Sequence, residues 1–277
     1  VCSSDLLFRF YEIPQRDRAD SISINTNTQS AVKARDLRSN SKQILKLKKA
    51  YEAKYSNGFF ATKRGEIIPA DKDKQYCIEL SYLGKNLTAW YMQRPNLSYG
   101  ETKIFDKYFN TLFKNDYLPE DAYALSFWMR KIMDAWTQEN PLGLEEELLT
   151  MKAYAPYHLL FAISMVFAKC NNQTNVPSPS ECLKVASENN LVDSIINIAA
   201  NCLNSAISAE KNNCEQNNRS FIPQNWVKNK SCNAGIMSAI QNYFSFLPTM
   251  NKEMDSKLKN GVKIDSKYFS YRVQAED

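Results

Sequence analysis

The sequence predicts a mainly α protein, an irregular helical bundle with a few short strands near the N-terminus, the end of a larger α+β protein. Three observations predict it. Apolar residues recur at helical spacing over most of the chain beyond residue 75. Only 7 glycines occur in 277 residues, too few for the tight turns of doubly wound or barrel folds. A hydrophobic fraction of 44% and an aromatic fraction of 12% exclude a disordered chain and supply one large core or two modest ones.

Taken in order, Leu6 to Ile13 is aromatic enough for a strand. Arg16 to Ile24 is a short helix or an extended connection. Thr28 or Ser30 caps a short helix through Ala31 to Asp36, and Ser39 or Ser41 caps the next. In that second helix Ile44, Leu47, Tyr51 and Tyr55 form one stripe, with Lys42, Lys46, Lys48 and Lys49 largely off it. Asn57-Gly58 stops the helix, and Gly58 to Lys63 reads as a strand running into an Arg-Gly turn. Pro69 to Lys74 is a polar loop. Helices are then expected over 75–92, over 101–113 with its Ile104, Phe105, Tyr108, Phe109, Leu112 and Phe113 face, and from Pro119 through Trp136. One or two more, broken near Pro156, cover 142–170. Val176-Pro-Ser-Pro179 reads as a linker, 180–210 as helix, 212–219 as an Asn-rich loop and 235–247 as a last helix. Residues 250–277 are weakly patterned.

The expected organisation is a basic segment at 7–72, a helical domain at 73–170 and a C-terminal helical region at 180–277, with a boundary near Asn171 to Ser180. Val1 to Leu6 resembles the translation of a sequencing adapter, so the chain is expected to be the C-terminal part of something longer. No apolar run reaches the roughly 20 residues that span a bilayer. The 7 cysteines form no C-x-x-C pair and point to a reducing compartment, hence a cytoplasmic protein that needs no disulfides.

The charge is localised. Between Lys33 and Arg64 ten basic residues face two acidic ones, a local balance of +8 against +5 for the whole chain. Such a cluster is the footprint of a polyanion partner or, more plainly, a solvated helix face. Arg35, Arg38, Lys33, Lys63 and Arg64 are the candidate phosphate ligands, Arg through bidentate pairs. Asn27 and Gln29 carry amides that either read nucleotide groups or lock a turn through backbone bonds. Arg35 and Asp36 equally suit internal salt bridges.

Catalytic patterns are thin. The one histidine, His158, lies in the most apolar stretch, and no phosphate-loop motif occurs. Asp71-Lys-Asp73-Lys74 has the residue types of a metal-dependent nuclease, but a contiguous polar run is more often an exposed loop. No catalytic residue, metal or cofactor is therefore assigned.

Ile24-Asn-Thr-Asn-Thr-Gln29, then Val32-Lys-x-Arg-Asp-Leu37-x-Ser-Asn40, then Phe60-x-x-Lys-Arg-Gly65 resemble, in order, signatures of the bacterial abortive-infection phage-resistance (AIPR) proteins. Ala89 to Pro95, Lys103-Ile-Phe-x-x-Tyr108 and Tyr157-His-Leu-Leu160 are similar to later parts of that family. The resemblance covers roughly residues 6 to 170. It implies antiviral defence by abortive infection, beside partner proteins of a defence operon, and a nuclease-like or nucleotide-binding core upstream. Three readings stand: a nucleic-acid-binding part of a defence protein, part of an enzyme whose core lies upstream, or a helical scaffold whose aromatics between Ile104 and Trp136 meet a partner.

Overall fold

The helix Ala155–Cys170 is apolar all round, and such a helix is stable only when surrounded. In the computed structural model every residue from Ala155 to Ser164 is buried. The structure describes residues 33–113, 117–137 and 139–274. Those from Ala34 onward form one unit, and Lys33 belongs to another with the residues before it. The expected strand at 6–13, and Asn27 and Gln29, lie outside the described residues.

The unit is mainly α, with thirteen helices and four short strands among the described residues. It opens with α1 (Ala34–Arg38), α2 (Lys42–Lys54), β1 (Phe59–Ala61), β2 (Cys77–Glu79) and α3 (Leu80–Trp90). Two short helices follow, α4 (Glu101–Phe105) and α5 (Phe109–Leu112), then α6 (Pro119–Met133), α7 (Glu146–Leu149) and the central α8 (Ala155–Cys170). β3 (Val176–Pro177) leads to α9 (Pro179–Glu188), α10 (Val192–Gln216), α11 (Pro223–Trp226), α12 (Lys230–Met250), α13 (Lys252–Gly261) and β4 (Phe269–Ser270). Helices α3, α6, α10 and α12 all pack on α8. Pro156 sits in the first turn of α8, where its missing N–H would have had no intrahelical partner.

The α2 stripe behaves as its spacing requires. Ile44, Leu47 and Tyr51 are buried, worth about 1.5–3 kcal/mol each, and Tyr55 is half-buried. Ser41 stands at the N-cap position of α2 but makes no side-chain cap bond. Gly58 follows because a Cβ there would meet the Tyr76 carbonyl oxygen at 2.7 Å. β1 and β2 then pair in parallel, Phe59 beside Cys77 and Ala61 beside Glu79. Gly65 supplies the positive φ, +68°, of the expected Arg-Gly turn.

The structure departs from expectation in several places. The stretch 75–92 starts as a 3-10 turn and β2 before α3 begins at Leu80. The helix expected over 101–113 is two helices, a break that leaves Phe105, Phe109 and Phe113 stacked at 5.0 to 6.1 Å. The helix expected over 180–210 is broken at Asn190, which has a φ of +54°, and the Asn-rich stretch that follows stays helical through Gln216.

A further departure is the expected linker. Val176 is fully buried, and β3 pairs antiparallel with β4, Val176 beside Ser270. Trp90 Nε1 donates to the Pro177 carbonyl at 2.7 Å, and Trp128 Nε1 donates to that of Pro179 at 3.4 Å. Asp121 accepts from the Ser178 and Ser180 hydroxyls at 2.9 and 2.6 Å. The residues on either side share one hydrophobic core. Phe105, Phe109 and Trp128 are buried in that core and Trp136 is half-buried, so these aromatics hold the fold rather than forming an exposed partner surface.

Candidate nucleic-acid interface

Several cations of the basic run are held by carboxylates and carbonyls of the fold, and others are exposed on its surface. Arg35 is 4% exposed. Its guanidinium lies 3.4 Å from Asp36, 3.3 Å from Glu79 and 3.4 Å from Glu101, the last facing Nε without hydrogen-bond alignment. A buried arginine with three carboxylates is not available to a phosphate, which corrects the expected role of Arg35 and supports its alternative as an internal salt-bridge partner. Arg38 is likewise turned inward: its Nε donates to the Phe105 carbonyl at 3.3 Å, and its guanidinium lies 4.7 Å from the Phe109 ring centroid. Both residues lock α1 against α4 and α5.

Lys48 and Lys54 are also engaged. Lys48 donates to the Phe60 carbonyl and pairs with Glu52 at 3.2 Å and Glu66 at 3.6 Å. Lys54 pairs with Glu120 at 2.8 Å. Glu66 also accepts from the backbone N–H groups of Thr62 and Lys63 at 2.8 and 3.0 Å, clasping the turn after β1. Burial would raise the Glu66 carboxyl, but those two N–H groups and Lys48 outweigh it and hold it below its ordinary value.

The exposed set forms two groups. Lys42, Lys46 and Lys49 lie on the solvent side of α2, opposite Ile44, Leu47 and Tyr51. Their i, i+4, i+7 spacing puts them within about 60° of arc and about 10 Å of axial rise. The second group is Lys63 and Arg64, both exposed on the turn that Gly65 closes. Lys33 is exposed and is the only described residue of its own unit. The α2 ridge was legible as off-stripe lysine. What the sequence hid was which of its basic neighbours meet Glu66, Glu79, Glu101 and Glu120 in space.

Lys63 also lines a cavity of about 670 Å³ that runs alongside β2 and the turn after β1. Ala61 and Ile78 come from the strands, Tyr82 and Asn86 from α3, and Met129 and Arg130 from α6. Of these only Lys63 was a sequence candidate. Asn86, Tyr82 and Arg130 sit in ordinary helical stretches with nothing in their local pattern to single them out.

Other candidate chemistry is accounted for locally. Asp73 accepts from Gln75 at its backbone N and its Nε2, at 3.0 and 2.7 Å, so it caps a turn in the expected polar loop. His158 is fully buried and its Nδ1 faces the Tyr154 carbonyl at 3.1 Å, within bonding distance for an Nδ1–H. Burial pulls its pKa down to about 4, so the imidazole is neutral near pH 7. Among the described residues no group of three or more His, Cys, Asp or Glu side chains converges to hold a metal. Cys182, Cys202, Cys214 and Cys232 are buried free thiols, and burial raises the pKa of Cys202 to about 12. No helix among the described residues is long and apolar enough to cross a membrane. No family model, curated protein or solved structure matches the chain.

Proposed function

We propose that this chain is a nucleic-acid-binding part of a defence protein, acting in the cytoplasm through Lys42, Lys46 and Lys49 of α2 together with Lys63 and Arg64. The carrying observation is the alignment of three exposed lysines on the face of α2 opposite its buried stripe. Their rise of about 10 Å matches about three nucleotides of a stacked strand at 3.4 Å each. Lysine is a point charge on a long stem, suited to phosphates without reading bases. The motifs between Ile24 and Gly65 extend the reading to anti-phage defence, by resemblance to the AIPR proteins.

The test is the salt dependence of oligonucleotide binding. Five cations on a single strand give a slope of log K against log salt of about −3.5, and on a duplex about −4.5. Replacing Lys42, Lys46 and Lys49 by Gln removes about 2 from the single-strand slope. An unchanged slope and affinity in that triple variant rule the proposal out.

A further inference from the structure

We propose, independently of the nucleic-acid reading, that the face shared by α10 and α12 binds a second copy of this chain about a two-fold axis. Three observations carry it. First, the face lacks charge. From 231 to 250 no residue of α12 is charged, in a chain that is 23% charged. Helix α13, by contrast, carries the ion pairs Glu253–Lys257 and Asp255–Lys259. A two-fold contact lays a patch against itself, so each charge near its centre meets its own sign, and an uncharged patch avoids that repulsion. Depletion of charge together with exposed Phe and Met also marks the centre of protein interfaces.

Second, the face has a knob and a hollow. A groove of about 680 Å³ runs between the two helices, and its lining holds no charged side chain. Gly235, Ala239, Asn242, Phe246 and Met250 all line it, within about 80° of arc on α12. At one end Gly235 and Ala239 lie with Ala206 and Ala209 of α10, small residues that leave a hollow. About 17 Å along the helix from Gly235 stands Phe246, 63% exposed, with Met250, 81% exposed, one turn on. In an isologous pair the knob of each copy enters the hollow of the other, and the axis passes near Asn242, between the two.

Third, the rim charges match in that arrangement. Glu210 follows Ala209 at the hollow, and the exposed Lys252 follows Asn251 beyond the knob. The exchange that seats Phe246 brings each Lys252 toward Glu210 of the other copy. The area is sufficient as well. α12 is about 31 Å long and two packed helices are about 20 Å wide, so each copy offers roughly 600 Å². The total of about 1,200 Å² is the lower limit of specific interfaces and corresponds to micromolar association.

Sedimentation equilibrium of the full chain reads the association. The expected result is a passage from one chain to two with a dissociation constant on the order of 10 µM. Phe246→Ser removes the knob and Ala209→Trp fills the hollow. Each should weaken association about 10-fold or more without lowering the melting temperature, since both positions are exposed. Asn242→Cys should cross-link two copies on mild oxidation, above the level of the parent. Met237→Cys, exposed on another side of α12, should not. A chain that stays single at about 100 µM overturns the proposal. So does a pair that neither Phe246→Ser nor Ala209→Trp weakens, or one that Met237→Cys cross-links as well as Asn242→Cys.

Discussion

Helices α1 and α2 are neighbours in sequence and carry the same sign of charge, yet α1 turns both its arginines into the fold while α2 engages Lys48 and Lys54 and leaves Lys42, Lys46 and Lys49 exposed. In α1, Arg35 and Arg38 turn inward, one into three carboxylates and the other onto a carbonyl and a phenyl face. In α2, Lys42, Lys46 and Lys49 turn outward. The difference lies in the neighbours more than in the residues. α1 packs against α4, which brings Glu101, and sits near the end of β2, which brings Glu79. α2 buries one stripe, and the lysines on its other side are exposed. A count of positive residues along a segment therefore overstates its reach, because planar, bidentate arginine is readily taken up by the fold.

The comparison breaks most visibly at Arg35. Arg35→Ala strands Glu79 and Glu101 beside each other and is expected to cost about 3 kcal/mol, toward the low end for a buried pair because the carboxylates are partly exposed. Urea denaturation measures it, and a cost under about 1 kcal/mol would mean that the cluster is not structural.

A buried group outside the basic run sharpens the contrast through pH. The unfolded chain protonates His158 near pH 6.5, the folded chain only at about pH 4. Its contribution is thus fully present above pH 6.5, falls as pH drops through that window, and amounts to about 3 kcal/mol lost by pH 4. As this is the only histidine, the difference between parent and His158→Asn in denaturation curves from pH 7 to 4 isolates the effect. Parallel curves would show that folding leaves the titration of this imidazole unchanged.

Arg38→Ala removes one bond to a carbonyl and one cation–π contact, an expected loss of about 1–2 kcal/mol, read as a fall in urea midpoint. The triple replacement of Lys42, Lys46 and Lys49 by Gln should cost the least, under about 1 kcal/mol, while nucleic-acid affinity drops. A variant that unfolds as readily as Arg35→Ala would place those lysines in the fold after all.

The helical character was legible because it is local. Ile44, Leu47 and Tyr51 are buried as their spacing demands, and the apolar stretch around Leu159 is the central helix. Pro156, Gly58 and Gly65 mark a helix start, a close approach and a turn for reasons visible in their chemistry. The candidate site was half legible. Lys63 and Arg64 are where a turn should expose them, whereas the fates of Arg35 and Lys54 were decided by Glu101 and Glu120, more than sixty residues away. Asn86, which lines the cavity beside β2, carries no local signal at all.

The Val176–Pro179 segment has one more consequence. Two indole rings anchor on it, at Pro177 and Pro179. A protease trimming this protein meets buried, bonded chain where a domain junction would ordinarily offer an easy cut. Any loosening there would dim or redden two emitters together, so the chain carries its own fluorescent tell-tale for the integrity of its middle.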